Sequence, residues 1–273
     1  MPKALGGLRF RSATGLPGWL YLPAAAGVAL IVVPPIALVS QTPWDQFLSQ
    51  VWSESSREAL LLSLRTATLS TILCVVLGVP MAVTFARHDG VITRVLRSLV
   101  LLPLVLPPVV GGIALLYTFG RMGMIGQPLR SAGIDIAFTS TAVVLAQTFV
   151  ALPFLVISVE GALRVAGTKY EEVSATLGAS PSRTLARVTI PLIAPSLLAG
   201  VVLAFARALG EFGATITFAG NAPGTTQTAP LAIYMAEIDD PQSAIPLSLV
   251  LVLLSLIVVV AVHTRRRIGR GML

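Results

Sequence analysis

One cysteine and two histidines are all the thiol and imidazole metal ligands that this 273-residue chain contains. Cys74 lies inside an apolar run with no second cysteine to pair with, which excludes an intrachain disulfide and fits inert packing. His88 and His263 are far apart, and no His, Asp or Glu cluster falls in the apolar windows, so a buried metal centre is not expected. Charge is scarce as well. Only 11% of residues are Asp, Glu, Lys or Arg, against about 25% in a soluble domain. That is too little polar surface for a water-soluble globule and too little charge for a disordered chain. No G-x-x-x-x-G-K-[ST] phosphate loop occurs, and Ser, His and Asp form no nucleophile motif. The chain is therefore read as non-catalytic, with no cofactor or metal of its own. If it moves something uphill, an ion gradient or another subunit supplies the energy.

What the chain has in quantity is apolar residues, 55% of the total and spread along its whole length. A helix that crosses a bilayer needs about 20 consecutive, mostly apolar residues. Six windows reach that length: 19–40, 66–86, 98–119, 139–159, 196–219 and 244–263. They predict an all-α integral membrane protein with six transmembrane helices. The chain then divides into an N-terminal segment 1–18, a six-span domain 19–263 and a basic tail 264–273. Lys3, Arg9 and Arg11 precede the first window as they would a signal peptide. The apolar stretch from Trp19 to Val39 exceeds the roughly 7–15 residues of a signal core, so it reads as a retained span.

Net charge is +7, which in a soluble protein would suggest nucleic acid. Here its distribution gives a different answer. With the N-terminus inside, the cytoplasmic segments hold Lys3, Arg9, Arg11, Arg87, Arg94, Arg97, Arg164, Lys169, Arg183, Arg187, Arg265, Arg266, Arg267 and Arg270. The outer loops hold Arg57, Arg121 and Arg130, with Arg65 at the outer end of the second span. Asp45, Glu54, Glu58, Asp135, Glu237, Asp239 and Asp240 all fall outside. That bias places both termini in the cytoplasm and assigns the excess charge to topology in a lipid bilayer, with no nucleic-acid partner.

Prolines punctuate the spans: Pro34-Pro35, Pro103, Pro107-Pro108, Pro191 and Pro195. Each removes a backbone donor, which at membrane depth is tolerated only where protein or a watery cavity satisfies the freed carbonyl. The run 103–112, PLVLPPVVGG, is the densest case and reads either as a packing kink or as a bend beside a translocation pathway.

The connection between the fourth and fifth spans, about 160–195, is long enough to carry structure of its own. Thr168 can cap a helix whose first turn holds Glu171 and Glu172, favourable at a positive helix end. Gly178 suits a terminator, and Ser180 with Pro181 reads as the start of a second helix leading to Pro191. The small residues Ser174, Ala175 and Gly178 would let another protein surface approach closely.

This loop resembles the EAA loop of ABC-transporter permeases of the binding-protein-dependent import class. The family pattern is E-A-A, three residues, G, nine residues, I-x-L-P; here it is met by Glu172-Val173-Ser174, Gly178 and Val188-Thr189-Ile190-Pro191. Val173 and Ser174 replace the two alanines, and Val188 and Ile190 replace the closing Ile and Leu. The resemblance implies a type I importer architecture in which Glu171, Glu172, Val173, Ser174, Ala175, Gly178 and Pro191 belong to a loop that docks on a separate ATP-hydrolysing chain. ATP and Mg would be held by that chain.

The fifth window contains FARALGEFGATITFAGNAPG, 205–224. Arg207 and Glu211, four apart, read as one helix face. Charges in an apolar span are costly and mark either a self-neutralising pair or a functional site. R-x-L-G-E-F-G resembles the molybdate/sulfate branch of these permeases, and the surrounding sequence, with PLAIY at 230–234, looks particularly like the molybdate permeases. The resemblance implies a homodimer, an extracytoplasmic molybdate-binding protein and tungstate as co-substrate. Gln147, Thr148, Thr215 and Thr217 are candidate neutral donors along a pathway. Two other readings stay open: a sulfate or thiosulfate importer of the same class, and an ATP-independent carrier or channel. The last would be expected to show several intramembrane acids and an internal repeat.

Overall fold

The computed structural model describes residues 17–268, and side chains as far as Val260. Lys3, Arg9 and Arg11 of the N-terminal segment, and the side chains of His263, Arg265, Arg266, Arg267 and Arg270, lie outside the described residues. All regular structure among the described residues is helical. The chain divides into two units, Met1–Thr42 and Pro43–Leu273.

The first unit contains a 3-10 turn, Gly18–Leu20, and helix α1 (Tyr21–Ser40), which carries Pro34 and Pro35 without a break. Together these 23 residues are long and apolar enough to cross a membrane.

The second unit begins with a short α2 (Phe47–Val51) and then α3 (Glu54–Arg87). Ser53 caps α3 by accepting the Ser56 N–H, which satisfies one of the donors every helix start leaves free. There follow α4 (Val91–Val105), α5 (Pro108–Phe119), α6 (Gly126–Ser131), α7 (Ser140–Ala166), α8 (Lys169–Thr176) and α9 (Pro181–Thr184). A π turn, Leu185–Thr189, joins α9 to α10 (Ile190–Leu209), so that Pro181–Leu209 forms one 29-residue span. The chain closes with α11 (Gly213–Phe218), α12 (Ala229–Asp239) and α13 (Pro241–Ile268).

The main core lies between α3, α7 and α10. Its buried residues are largely small: Ala67, Cys74 and Ala82 meet Ala151, Leu155, Val159, Ala204 and Ala208. Lipid gives apolar helices no reason to associate, so close backbone approach and dispersion must do so. Cys74 is fully buried here, its Sγ 3.8 Å from the carbonyl of Thr148. Gly200 shows how close the approach is: a Cβ there would stand 2.9 Å from the Cβ of Ser158 in α7.

Two of the six expected windows are broken. The window 98–119 is divided between α4 and α5, which meet at 118°. Leu106 and Pro107 are both extended (ψ 135° and 133°), the conformation that a residue preceding a proline favours, although the same X-Pro-Pro pattern at Val33, Pro34 and Pro35 stays helical in α1. Isolated prolines such as Pro80, Pro153 and Pro195 stay inside intact helices. The window 196–219 ends its helix at Leu209 and resumes as α11. Among the described residues there are thus five continuous helices long and apolar enough to span a membrane, and six when the bent pair is counted as one. Pro191 does not end a loop helix as expected. The wider π turn before it, in which the Ile190 N–H reaches the Leu185 carbonyl, carries the helix past a residue that would strike an ordinary turn.

The two breaks lie against each other. A Cβ on Gly213 would sit 2.7 Å from the Pro108 Cβ. One on Gly112 would sit 2.7 Å from the Ala214 carbonyl oxygen and would collide with the Thr217 hydroxyl. Only glycine at 112 and 213 allows α5 and α11 to pack this closely.

A coupling loop and a buried charge pair

The limits of the loop helix α8 are set by the residues at its ends. Thr168 holds the expected capping position, but its backbone is already near-helical (φ −107°, ψ −8°) and its hydroxyl donates instead to the Glu172 carboxylate, 2.5 Å away. Gly178 terminates the helix at φ +79°, its N–H donating to Ala175 O while Ala179 N–H reaches Ser174 O. That left-handed geometry is the one glycine takes without steric cost. Ser180 and Pro181 open α9, though the Ser180 hydroxyl makes no capping bond.

The faces of α8 differ in chemistry. Glu171 and Ser174 turn toward the protein. Glu171 Oε1 accepts from Arg87 Nη2 at 2.6 Å and from Thr189 Oγ1 at 2.8 Å. Ser174 Oγ lies 2.9 Å from Thr184 Oγ1. Ser174, expected to offer a partner a close approach, is occupied inward because helical periodicity puts it on the same side as Glu171. The outward residues are Tyr170, Val173 and Leu177, at 58%, 52% and 83% exposure. Their spacing of three and four forms a continuous apolar stripe. Glu172 and Ala175 are exposed beside it.

Behind α8 stands a cluster that sequence reasoning missed. Glu160 of α7 pairs with Arg97 of α4 at 2.8 Å and with Arg164 at 2.9 Å, and Arg164 reaches Asp89 at 3.2 Å. Arg97 and Arg164 both donate to the Phe85 carbonyl in the last turn of α3, at 2.8 and 2.9 Å. Two cations thus sit at a helix end whose dipole favours them. The one available signal was the four-residue spacing of Glu160 and Arg164; the other members come from separate segments.

The second site is the Arg207–Glu211 pair, joined at 2.6 Å. The two do not share a helix face as expected, because α10 ends at Leu209 and Glu211 lies in the break. There its second oxygen accepts the Ala214 N–H at 2.8 Å, satisfying a donor in the first turn of α11. Glu211 is 1% exposed and Arg207 30%.

The four neutral candidates divide in two. Thr148 donates to Val144 O at 2.7 Å and its Oγ1 lies 3.2 Å from Ser70 Oγ, and Thr217 donates to Gly213 O at 2.9 Å. Gln147 and Thr215 are fully buried, and neither side chain has a hydrogen-bond partner among the described residues. Gln147 and Thr148 belong to α7, Thr215 and Thr217 to α11.

Apolar spans, two helix breaks packed against each other and a helical loop with a bare apolar face at the basic end define the membrane-embedded component of a transport system. The chain belongs to the family of binding-protein-dependent transport system inner membrane components, which matches residues 75–269. It is 57% identical over 256 residues, 94% of this chain and 97% of the other, to the molybdenum transport system permease protein ModB of Mycobacterium tuberculosis. It is 34% identical, over 89% of this chain and 90% of the other, to the sulfate transport system permease protein CysT of Salmonella typhimurium. Among solved structures it resembles a chain of a bacterial ABC transporter that imports alginate, with a TM-score of 0.70 at 16% identity and coverage of 93% and 94%. That likeness shows the fold. The chain is a multi-pass inner-membrane protein.

Proposed function

We propose that this chain is the permease subunit of an ATP-driven importer of molybdate, with tungstate as co-substrate. Two copies form the pathway, and an extracytoplasmic molybdate-binding protein delivers the oxyanion. A separate ATPase, which holds ATP and Mg, docks on α8. The loop about 160–195 serves coupling within a six-span domain 19–263, flanked by the cytoplasmic segment 1–18 and tail 264–273. The observation that carries the transport reading is the apolar stripe Tyr170, Val173 and Leu177 on a helix at the basic end. An exposed apolar face rimmed by polar residues such as Glu172 marks a protein contact. Closure of the ATPases on ATP would press on α8 in each copy and rock the spans between outward- and inward-open states. The substrate rests on the 57% identity to the molybdenum relative, against 34% to the sulfate one.

The test is ATP hydrolysis by the complex reconstituted in lipid, with the binding protein added empty, molybdate-loaded or sulfate-loaded. Stimulation by the molybdate-loaded form alone is expected. Equal stimulation by both loaded forms would move selectivity to the binding protein, and stimulation by the sulfate-loaded form alone would overturn the substrate.

A further inference from the structure

The coupling helix hangs between two glycine joints. Gly167 before it has φ +67° and Gly178 after it φ +79°, and a Cβ at either would meet open space. Glycine takes this region of backbone space without steric cost, so no side chain at either joint braces α8 against its surroundings. Its orientation therefore depends on side chains. Among the described residues, two side chains of α8 form hydrogen bonds or ion pairs to other elements: Ser174, which reaches only α9, and Glu171.

Glu171 reaches much further. Its Oε1 accepts from Arg87, the last residue of α3, and from Thr189, the last residue of the π turn, where α10 begins. Arg87 Nη2 also donates to the carbonyl of Gly167, which closes α7, at 3.3 Å. One carboxylate oxygen thus joins the loop helix to the ends of the three spans that form the core. Both Arg87 and Glu171 are mostly buried, so water and salt weaken the pair less than an exposed one. The anchor itself is firm, because Arg97 and Arg164 clamp the Phe85 carbonyl two residues before Arg87.

We propose that Glu171, acting through Arg87 and Thr189, is the positioning residue that converts displacement of α8 into displacement of α3, α7 and α10. This rests on the reading that a partner ATPase presses on α8. Glu171 lies on the inward face, opposite the stripe that would meet that partner, so its loss separates force transmission from docking.

The experiment uses the full permease–ATPase complex in proteoliposomes, with Arg87→Ala, Glu171→Ala, Glu171→Gln and the Arg87→Ala/Glu171→Ala double variant. Recovery of the ATPase with the permease, stimulated hydrolysis, and molybdate taken up per ATP are measured together. Each alanine variant is expected to keep the ATPase bound and hydrolysis within about twofold, while uptake per ATP falls about tenfold, the scale of one charge-assisted contact. The double variant should lose no more than either single one, since both remove the same link. Glu171→Gln, which still accepts from Arg87 and Thr189, should fall between. Unchanged uptake per ATP in both single variants overturns the proposal, as do additive losses or loss of the ATPase in step with uptake. A wild-type complex that couples nothing would overturn the functional reading and this proposal together, whereas a working wild type with indifferent variants overturns the strut alone.

Discussion

Glu211 divides its two oxygens between a guanidinium and a backbone N–H at the break between α10 and α11. Removing one partner of a buried pair leaves an uncompensated charge, which costs about 3–5 kcal/mol. Replacing both by apolar residues of similar size costs far less. Arg207→Ala is therefore expected to lower the thermal stability of the purified permease in detergent by roughly that amount, and Arg207→Leu/Glu211→Leu by much less. If Arg207→Ala unfolds at the wild-type temperature but no longer transports, the arginine acts on the substrate and the structural account fails. At this scale the sequence was uneven. Gly178 was legible because a terminator with positive φ is a local demand that glycine meets best. The partners of Glu171 were not, because Arg87 lies 84 positions away and Thr189 lies 18 away. Only the fold brings them together.

Among elements, the contact between α5 and α11 has the least tolerance. Ala214 and Thr217 occupy the space a side chain at position 112 would need. Gly112→Val is thus expected to destabilise the protein by about 1–3 kcal/mol or more, as overpacking does. Thermal unfolding in detergent checks it; an unchanged midpoint would mean the two segments separate easily. Gly27→Val, where a Cβ meets open space, should shift the midpoint little. The break in α4–α5 was partly legible, since Pro103, Pro107 and Pro108 crowd one stretch. The 118° bend falls at Leu106 and Pro107, each preceding a proline, whereas Val33 and Pro34, which also precede prolines, stay helical in α1; the proline pattern by itself therefore did not fix the bend. The break after Leu209 has no proline, and the apolar run continues through it, so a hydropathy window passes straight over. There the Glu211 carboxylate accepts the Ala214 N–H, a donor in the first turn of the new helix.

For the whole molecule, the six-window count was legible because the bilayer sets a length that composition must meet. The exposed face of α8 was legible only in part: of the small residues Ser174, Ala175 and Gly178, Ser174 turns inward, and the periodicity of the helix adds Tyr170 and Leu177 beside Val173. Leu177→Asp, at the most exposed of these positions, should leave the spans folded. It should reduce recovery of the ATPase with the permease about tenfold or more, as loss of a central apolar anchor does. Wild-type recovery would mean that docking uses another surface.

The solitary thiol of Cys74, enclosed between α3 and α7, has a practical consequence. Maleimides and spin labels that react only with accessible sulfur will find nothing on the native protein between Gly18 and Val260. A cysteine introduced at Val165, almost wholly exposed in the last turn of α7, would then carry the entire signal. The movement of the end of α7 that leads into the coupling loop can be followed by fluorescence or electron paramagnetic resonance without first stripping the chain of competing sites.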